Sequence, residues 1–367
     1  MSNSRLFKPL KVGNIELKNR VAMAPLTRFR ASDEHVILPM AAEYYGQRAS
    51  TPGTLLITEA TYISKQHGGY PNVPGIHNQE QIDAWKKVAD AVHEKGSFIY
   101  AQLWALGRVA NPKFAEANGF EIKSSSPAQL DADHAVPKEM AVDEIKDTVA
   151  TYAQAAKNAI AAGFDGVEIH GANGYLVDQF IQDKVNQRTD SYGGSVENRS
   201  RFAIEVTKAV VDAVGAERTG IRLSPFSDFQ GMHMKDPIPQ FSDVIKKLNK
   251  FGLAYIHLVE SRISGNADVE NFDSLDPLLP LFDGPVLIAG GFKPDSAKRE
   301  VDEHRKDRDI VVVFGRYFIS TPDIVFRLEK GIELNPYDRN TFYNAKSETG
   351  YIDQPFSKEW KAAQANL

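Results

Sequence analysis

Cysteine is absent from the 367-residue chain. This absence excludes disulfide bonds, thiolate metal sites, cysteine-ligated iron–sulfur clusters and cysteine nucleophiles. Long hydrophobic runs are absent too, because no stretch approaches the roughly 20 apolar residues that a membrane-spanning helix needs. The N-terminus, MSNSRLFKPL, has no apolar signal region. We therefore predict a cytoplasmic protein that is not associated with a membrane.

Concentrated positive charge is also missing. The chain has 43 lysines and arginines against 48 aspartates and glutamates, which gives a net charge of −5, and both signs are mixed along its length. Proteins that bind nucleic acid usually carry a basic patch, so no such partner is predicted. The chain also lacks a Gly-x-Ser-x-Gly motif, the nucleophile turn of α/β hydrolases.

Eight short apolar runs, rich in β-branched residues, recur along the chain. Most are apolar at successive positions, which is typical of strands buried on both faces. They lie at residues 19–25, 54–61, 97–104, 165–171, 219–225, 254–260, 284–291 and 309–316.

Segments with helical periodicity separate these runs. The segment QEQIDAWKKVADAVHEKG (79–96) places its apolar residues on one face and ends in a glycine. Similar segments occur at 143–163 and 196–215, with further candidates near 39–49, 240–251, 294–305 and 322–331, whereas 271–283 is less clear. Eight strands that alternate with helices favour a closed (β/α)8 TIM barrel over an open doubly wound sheet.

The chain is longer than a barrel of this kind needs. A typical barrel takes about 250 residues, which leaves roughly 120 for extensions. The segment KPLKVGNIELK predicts an N-terminal hairpin that turns at Gly13-Asn14. Long βα-loop insertions are expected at 105–140 and 174–195, followed by a tail after residue 332. Because no stretch has linker composition, residues 1–367 are predicted to form a single domain.

The C-terminal strand ends of a TM barrel carry its chemistry. Glycines lie at the ends of the last two runs: Gly290-Gly291 on one and Gly315, with Arg316, on the other. Such glycines either make turns or let backbone N–H groups approach a phosphate. Glycines at the ends of two adjacent strands, with Arg316 beside one of them, favour a phosphate site.

A metal site is not favoured at these strand ends. Glu59, His170 and Glu260 come from non-adjacent strands, whereas a divalent ion needs several clustered ligands. His257 is expected to be a packed residue of the barrel interior. The remaining groups are mostly neutral hydrogen-bonding side chains plus Arg222. That set suits a large aromatic cofactor with polar edges better than it suits hydrolysis.

A series of motifs extends over nearly the whole chain. They include LFKPLKVGNIELKNRVAMAPLTRFR (6–30), AQLWALGR (101–108), HGANGYLVDQF (170–180), RTDSYGGSVENRSRF (188–202) and VVFGRYFISTPD (312–323). In this order they resemble the Old Yellow Enzyme family of FMN-dependent ene-reductases, in a fungal-type form. The resemblance implies an FMN-bearing TIM barrel that takes electrons from NADPH and reduces small α,β-unsaturated carbonyl compounds, as a monomer or homodimer.

The resemblance also implies which residues bind FMN. Gln102 is expected to hydrogen-bond the pyrimidine end of the flavin. Arg222 should lie near N1 and C2=O, where a fixed cation stabilises the negative charge of the reduced flavin. The full set implied to contact FMN is Pro25, Thr27, Ala60, Gln102, Arg222, Gly291, Gly315 and Arg316.

Three residues of the HGANGY segment are implied to be catalytic. His170 and Asn173 match the pair that binds the substrate carbonyl oxygen, and Tyr175 matches the proton donor to the α-carbon. Without the resemblance, the three could equally cap a loop. The positions implied to line the substrate funnel are Trp104, Phe229 and Tyr351, besides His170 and Asn173.

Other functions fit the same sequence. One is a flavin-dependent isomerase or biosynthetic enzyme acting on one specific enal or enone, which the presence of Tyr175 disfavours. A second is a flavoprotein that binds ligands without turnover. A third, at the level of the fold alone, is a metal-dependent aldolase.

Overall fold

Eight parallel strands form a closed barrel in the computed structural model, counted over the residues that it describes, 3–264, 267–268 and 273–365. The barrel strands, numbered β1 to β8 in chain order, are Val21–Met23, Leu55–Ile57, Phe98–Trp104, Gly166–Gly171, Thr219–Leu223, Tyr255–Val259, Val286–Ala289 and Ile310–Phe314. Strand β8 pairs with β1, which closes the ring. The TIM-barrel prediction is confirmed, and each of the eight apolar runs contains a barrel strand.

Helices alternate with these strands as the periodicity predicts. The segments 79–96, 143–163 and 196–215 form the helices Gln79–His93, Val142–Ala161 and Val196–Val214. Their buried faces are apolar, and they pack against the barrel and against one another. The other α-helices in the described part of the chain are Met40–Arg48, Pro112–Asn118, Leu176–Ile181, Pro237–Asn249, Pro294–Arg299, Arg316–Ser320, Ile324–Lys330 and Lys358–Gln364.

Two of the less regular segments differ from simple helices. The helix predicted at 294–305 ends as an α-helix at Arg299 and continues as a π-helical turn, Glu300–His304. The segment 271–283 contains a 3-10 turn, Leu279–Leu281, and its first two residues lie outside the described part of the chain.

The loops between the main elements and the segments near the chain ends contain short strands and 3-10 turns. Short strands lie at Thr61–Tyr62, Lys123–Ser124, Lys138–Glu139, Ile263–Ser264 and Ala267–Asp268. The 3-10 turns besides Leu279–Leu281 are Arg5–Phe7, Lys65–His67, Gly107–Val109, Ala216–Arg218, Phe229–Gly231 and Arg339–Thr341.

The predicted N-terminal hairpin is present and closes one end of the barrel. Its strands, Leu10–Val12 and Ile15–Leu17, are antiparallel. Gly13 has a φ of 54°, and a Cβ there would lie 2.0 Å from the Glu217 carbonyl oxygen, so this turn requires glycine. The apolar side chains of the hairpin pack with the buried barrel residues Tyr100 and Tyr255. The opposite end, at the carboxyl ends of the strands, is the one left for a ligand site.

In the part of the chain that the structure describes, none of the helices combines the length and apolarity needed to cross a bilayer.

Candidate active site

A cavity of about 700 Å³ opens at the carboxyl ends of the barrel strands. It brings together residues that lie far apart in the sequence, because parallel strands deliver their carboxyl ends to the same face of the barrel. The sequence-predicted residues in its lining are Pro25, Thr27, Ala60, Gln102, Trp104, His170, Asn173, Tyr175, Arg222, Phe229, Gly291, Gly315 and Arg316.

The turn after β4 directs three polar side chains to the cavity. His170 is the last residue but one of β4. Asn173 then adopts the left-handed conformation (φ 58°), and its N–H donates to the Ser224 hydroxyl at 2.7 Å. Gly174 is also left-handed (φ 76°), so the chain reverses and Tyr175 returns beside His170. The two rings lie 4.9 Å apart between centroids.

His170 is held as a neutral imidazole. Burial, followed by the nearby Arg222 and His257, lowers the pKa of His170 well below its usual range. The backbone N–H of Ala172 donates to Nδ1 at 3.4 Å. Nδ1 is therefore the acceptor nitrogen, and the proton of the neutral ring lies on Nε2. The ring thus presents a donor without carrying charge.

Tyr175 is held as a protonated phenol. Burial raises its pKa above the ordinary value, although a hydrogen bond from the Gln230 side chain acts in the opposite direction. The Gln230 turn is fixed by Arg108, whose Nη2 donates to the Gln230 carbonyl oxygen at 2.8 Å. A phenol in this state can donate a proton, and the amide beside it stabilises the phenolate that remains.

The floor of the cavity carries a buried cation. Arg222 lies on β5 in register with His170 on one side and His257 on the other. Its Nε atom has no hydrogen-bond partner among the described residues. Burial lowers the pKa of Arg222, and Glu168 is the first group that opposes this shift. A cation so placed fits a ligand edge that carries carbonyl oxygens or negative charge.

The β7–β8 end of the cavity combines open backbone with positive charge. Gly291 is left-handed (φ 62°). A Cβ at Gly315 would meet nothing closer than 3.5 Å, so packing does not demand glycine there, and the bare backbone is left accessible to a ligand. Arg316 lines the same end with Lys293. Arg316 makes a bidentate ion pair with Asp268, at 2.7 and 2.9 Å.

Comparison with known proteins agrees with this geometry. A family model described as "NADH:flavin oxidoreductase / NADH oxidase family" matches residues 5–335. The crystal structure of Old Yellow Enzyme from Pichia sp. is similar with a TM-score of 0.90 and 40% identity, over 97% of this chain and 94% of that one. The chain belongs to the Old Yellow Enzyme family. It is an oxidoreductase of this flavin-dependent family.

Fungal members of the Old Yellow Enzyme family align over almost the full length. The chain is 58% identical to chanoclavine-I aldehyde reductase fgaOx3 of Penicillium roqueforti, over 98% of each chain. It is 53% identical to NADP-dependent oxidoreductase lnbE of Aspergillus flavus, over 97% of each. It is also 50% identical to a protein named "probable inactive reductase easA" in Epichloe festucae var. lolii, over 98% of this chain and 97% of that one.

Tyr351 does not reach the cavity of this Old Yellow Enzyme family member. It is fully buried, and its ring stacks on Tyr44 at 3.9 Å between centroids. Arg28 and Arg30 lie against the same ring. The sequence-based assignment of Tyr351 to the substrate funnel is therefore corrected, because the tail folds this residue into the core.

The other acidic strand ends are used within the fold. Glu59 accepts a hydrogen bond from Tyr45, and Glu260 pairs with Arg305 at 3.1 Å. His257 is fully buried in the barrel, as the sequence indicates.

Several cavity residues were not anticipated from the sequence. Phe29, Tyr70 and Tyr343 form an aromatic group, with centroid distances from Phe29 of 6.4 Å to Tyr70 and 5.8 Å to Tyr343. They come from loops and from the tail, which have no strand periodicity. Phe29 could have been found from its place in the PLTRFR motif, two residues after Thr27. Further unanticipated lining residues include Gln230, Asp268, Lys293 and Tyr337.

Proposed function

We propose that this protein is an FMN-dependent ene-reductase that uses NADPH to reduce the C=C bond of α,β-unsaturated carbonyl compounds. The observation that carries the proposal is the meeting of a neutral His170 and a protonated Tyr175 in the cavity that has Arg222 in its floor. A hydrogen-bond donor for a carbonyl oxygen and a proton donor for a carbon atom are then both available beside a cavity large enough for a flavin.

FMN, when bound, supplies the hydride that NADPH has delivered to it. The residues proposed to hold it are Pro25, Thr27, Ala60, Gln102, Arg222, Gly291, Gly315 and Arg316. The unpartnered Nε of Arg222 and the open backbone at Gly315 fit such a group. The name of the Aspergillus flavus relative supports NADP as the coenzyme.

His170 and Asn173 are proposed to bind the substrate carbonyl oxygen. Hydride addition at the β-carbon moves negative charge onto that oxygen, and preorganised donors lower the barrier. Since His170 is neutral, it donates through Nε2–H and adds no positive charge to the site. Such a charge would bind the ground state of the substrate as tightly as the transition state and would not speed the reaction. Tyr175 is proposed to protonate the α-carbon as a general acid.

Aromatic side chains form much of the remaining wall. Trp104 and Tyr175 are 4.8 Å apart between centroids and perpendicular, and Phe229 and Tyr343 also line the cavity. Flat conjugated enals and enones fit such a wall through stacking and edge contacts. The name of the Penicillium roqueforti relative favours an aldehyde substrate.

A second candidate is a flavoprotein that binds such ligands without reducing them. The observation in its favour is the relative named as an inactive reductase, at 50% identity.

One experiment separates these functions. The purified protein is reconstituted with FMN, reduced without oxygen by NADPH or NADH, and mixed with a panel of enals and enones while flavin absorbance is followed. The proposal expects about one FMN per chain, reoxidation by at least one compound and a product saturated at C=C. A protein that takes FAD, or no flavin, contradicts the cofactor proposal. Reduction by the coenzyme without reoxidation by any enone supports the second candidate.

A further inference from the structure

A carboxylate is enclosed beneath the cavity floor, where the proposed chemistry does not use it. Glu168, in the middle of β4, is fully buried. It accepts hydrogen bonds from Gln102 Nε2 at 2.8 Å, the Tyr255 hydroxyl at 3.1 Å and His257 Nδ1 at 2.9 Å. A buried carboxylate needs such partners, and three donors around one group favour its charged form.

The carboxylate determines the orientation of Gln102. An ionised carboxylate only accepts hydrogen bonds, so the amide must turn its NH2 group toward Glu168. Gln102 also lines the cavity. Its amide oxygen is therefore the atom left to face a ligand, and the flipped orientation would place two acceptors against each other.

The same carboxylate acts on Arg222. Burial opposes the charged form of each group, and each group stabilises the charged form of the other. His257 donates to Glu168 and lies in register with Arg222 on the next strand. Burial lowers the pKa of His257, so it is a neutral donor through Nδ1. The floor of the cavity thus contains the enclosed negative charge of Glu168 and the enclosed positive charge of Arg222. Water does not screen these two charges from each other.

We propose that Glu168 is a positioning residue for the flavin: it fixes the Gln102 amide with its oxygen toward the cavity, and it offsets part of the Arg222 charge. Glu168 thereby keeps the reduction potential of the bound flavin lower than Arg222 alone would make it, because the reduced flavin is the more negative form. This inference rests on the proposed binding of FMN and assigns Glu168 no contact with substrate.

The test is the reduction potential of FMN bound to Glu168→Gln, measured against a reference dye during slow anaerobic reduction. The substitution keeps the shape of the side chain and removes its charge. Reduced FMN should then bind more tightly relative to oxidised FMN by about tenfold, which equals a rise of about 30 mV for a two-electron couple. The matched control is Tyr255→Phe, which removes one hydrogen bond to Glu168 and keeps the charge. Its potential should stay at the wild-type value.

A second variant keeps the test valid if Glu168→Gln does not fold. In this double variant, Gln102→Glu is combined with Glu168→Gln. The hydrogen-bonded pair and the total charge are retained, but the negative charge moves to residue 102, which lines the cavity. The potential should then fall below that of wild type, and an unchanged or higher potential would overturn the proposal, because a negative charge in this pair would then not act on the flavin.

The two proposals fail in different ways. If wild-type apoprotein takes up no FMN, the proposed function is wrong and this inference falls with it. If FMN binds but Glu168→Gln leaves the potential unchanged, or if Tyr255→Phe raises it equally, Glu168 has only a structural role.

Discussion

The two ends of the cavity differ in how they hold charge. At the β3–β6 end, Glu168 and Arg222 are enclosed in the barrel, and the carboxylate is bonded to side chains that are themselves buried. At the β7–β8 end, Arg316 pairs with Asp268, whose side chain is 65% exposed. Enclosed charges are poorly screened and act on the reactivity of a ligand, whereas an exposed pair can exchange partners and responds to salt. We therefore expect the first end to govern chemistry and the second to govern retention of the cofactor.

Substitution of Tyr175 gives the largest expected effect and tests the first half of this comparison. Tyr175→Phe should slow reduction of cyclohexenone by about 10²–10⁴-fold, since a positioned general acid contributes that much. Flavin reduction by NADPH, which needs no proton from the phenol, should remain within about threefold, and FMN retention should not change. Stopped-flow measurement of both half-reactions provides the check.

A nitroalkene serves as the control for Tyr175→Phe. Its stabilised carbanion can leave the enzyme and be protonated by water, so it should still accept hydride from the variant. Equal slowing of both half-reactions would show that Tyr175 is only a loop residue.

Loss of the oxygen-binding pair should have the next largest effect. His170→Ala and Asn173→Ala should each weaken the binding of phenolates by about 10–100-fold, the range expected for hydrogen bonds to a charged oxygen. They should weaken the binding of enones less, because the enone oxygen is neutral before hydride is added. Because both donors serve one oxygen, the double variant should lose less than the sum of the two free-energy changes. Absorbance titrations of the flavin give the dissociation constants of all four proteins. Strictly additive free-energy changes would refute the hypothesis that both donors bind one oxygen.

At the opposite end of the cavity, Arg316→Ala should weaken FMN binding by about tenfold, as expected for the loss of one charge-assisted hydrogen bond. The effect is not larger because Arg316 must first break its ion pair with Asp268 before it can bind the phosphate. The chemical rates of the flavin-saturated variant should match those of wild type. Titration of apoprotein with FMN measures the affinity. Unchanged affinity would remove the phosphate assignment from Arg316.

Asp268→Asn should have a smaller effect of opposite sign. Asp268 holds Arg316 at 2.7 Å, so removing its charge frees the guanidinium for a phosphate. FMN should bind about two- to fivefold more tightly at low salt, in line with the modest energy of exposed pairs, and the gain should shrink as salt is added. Weaker binding by this variant would mean that Asp268 supports the site instead of competing for it.

The smallest effect is expected from pH. A histidine with its ordinary pKa, about 6.5, would gain a proton between pH 8 and 5.5. The pKa of His170 is well below that value because the ring is buried, so its neutral form persists over the whole interval. The dissociation constant of a non-ionising ketone should stay constant within about twofold. A midpoint near 6.5 in that titration, absent from His170→Ala, would contradict the neutral ring.

The sequence predicts the barrel well because its strands are buried on both faces and read as continuous apolar runs. Once strands are located, their carboxyl ends must meet, which is why the sequence alone groups Gln102, His170 and Arg222. Glu168 carries a signal of a different kind, because a charged residue inside a buried run requires buried partners, but the sequence does not say which residues these are. The roles proposed for these residues stay predictions.

The tail was less predictable because side chains from elsewhere decide its path. Arg28 donates to the carbonyl oxygens of Phe342 and Gly350, and Arg30 also donates to Phe342. These bonds set Tyr343 in the cavity wall and Tyr351 in the core. No periodicity in the tail distinguishes the two tyrosines.

The N-terminal hairpin closes one end of the barrel, and this affects the order in which ligands bind and leave. With Tyr100 and Tyr255 packed beneath it, the hairpin leaves the carboxyl face as the route by which ligands reach the cavity. Under the proposed function, coenzyme and enone would both enter the one cavity from this side, so we expect the first to leave before the second binds. Initial rates would then follow a substituted-enzyme pattern, with parallel lines in a double-reciprocal plot. An excess of either the coenzyme or the enone would inhibit the reaction.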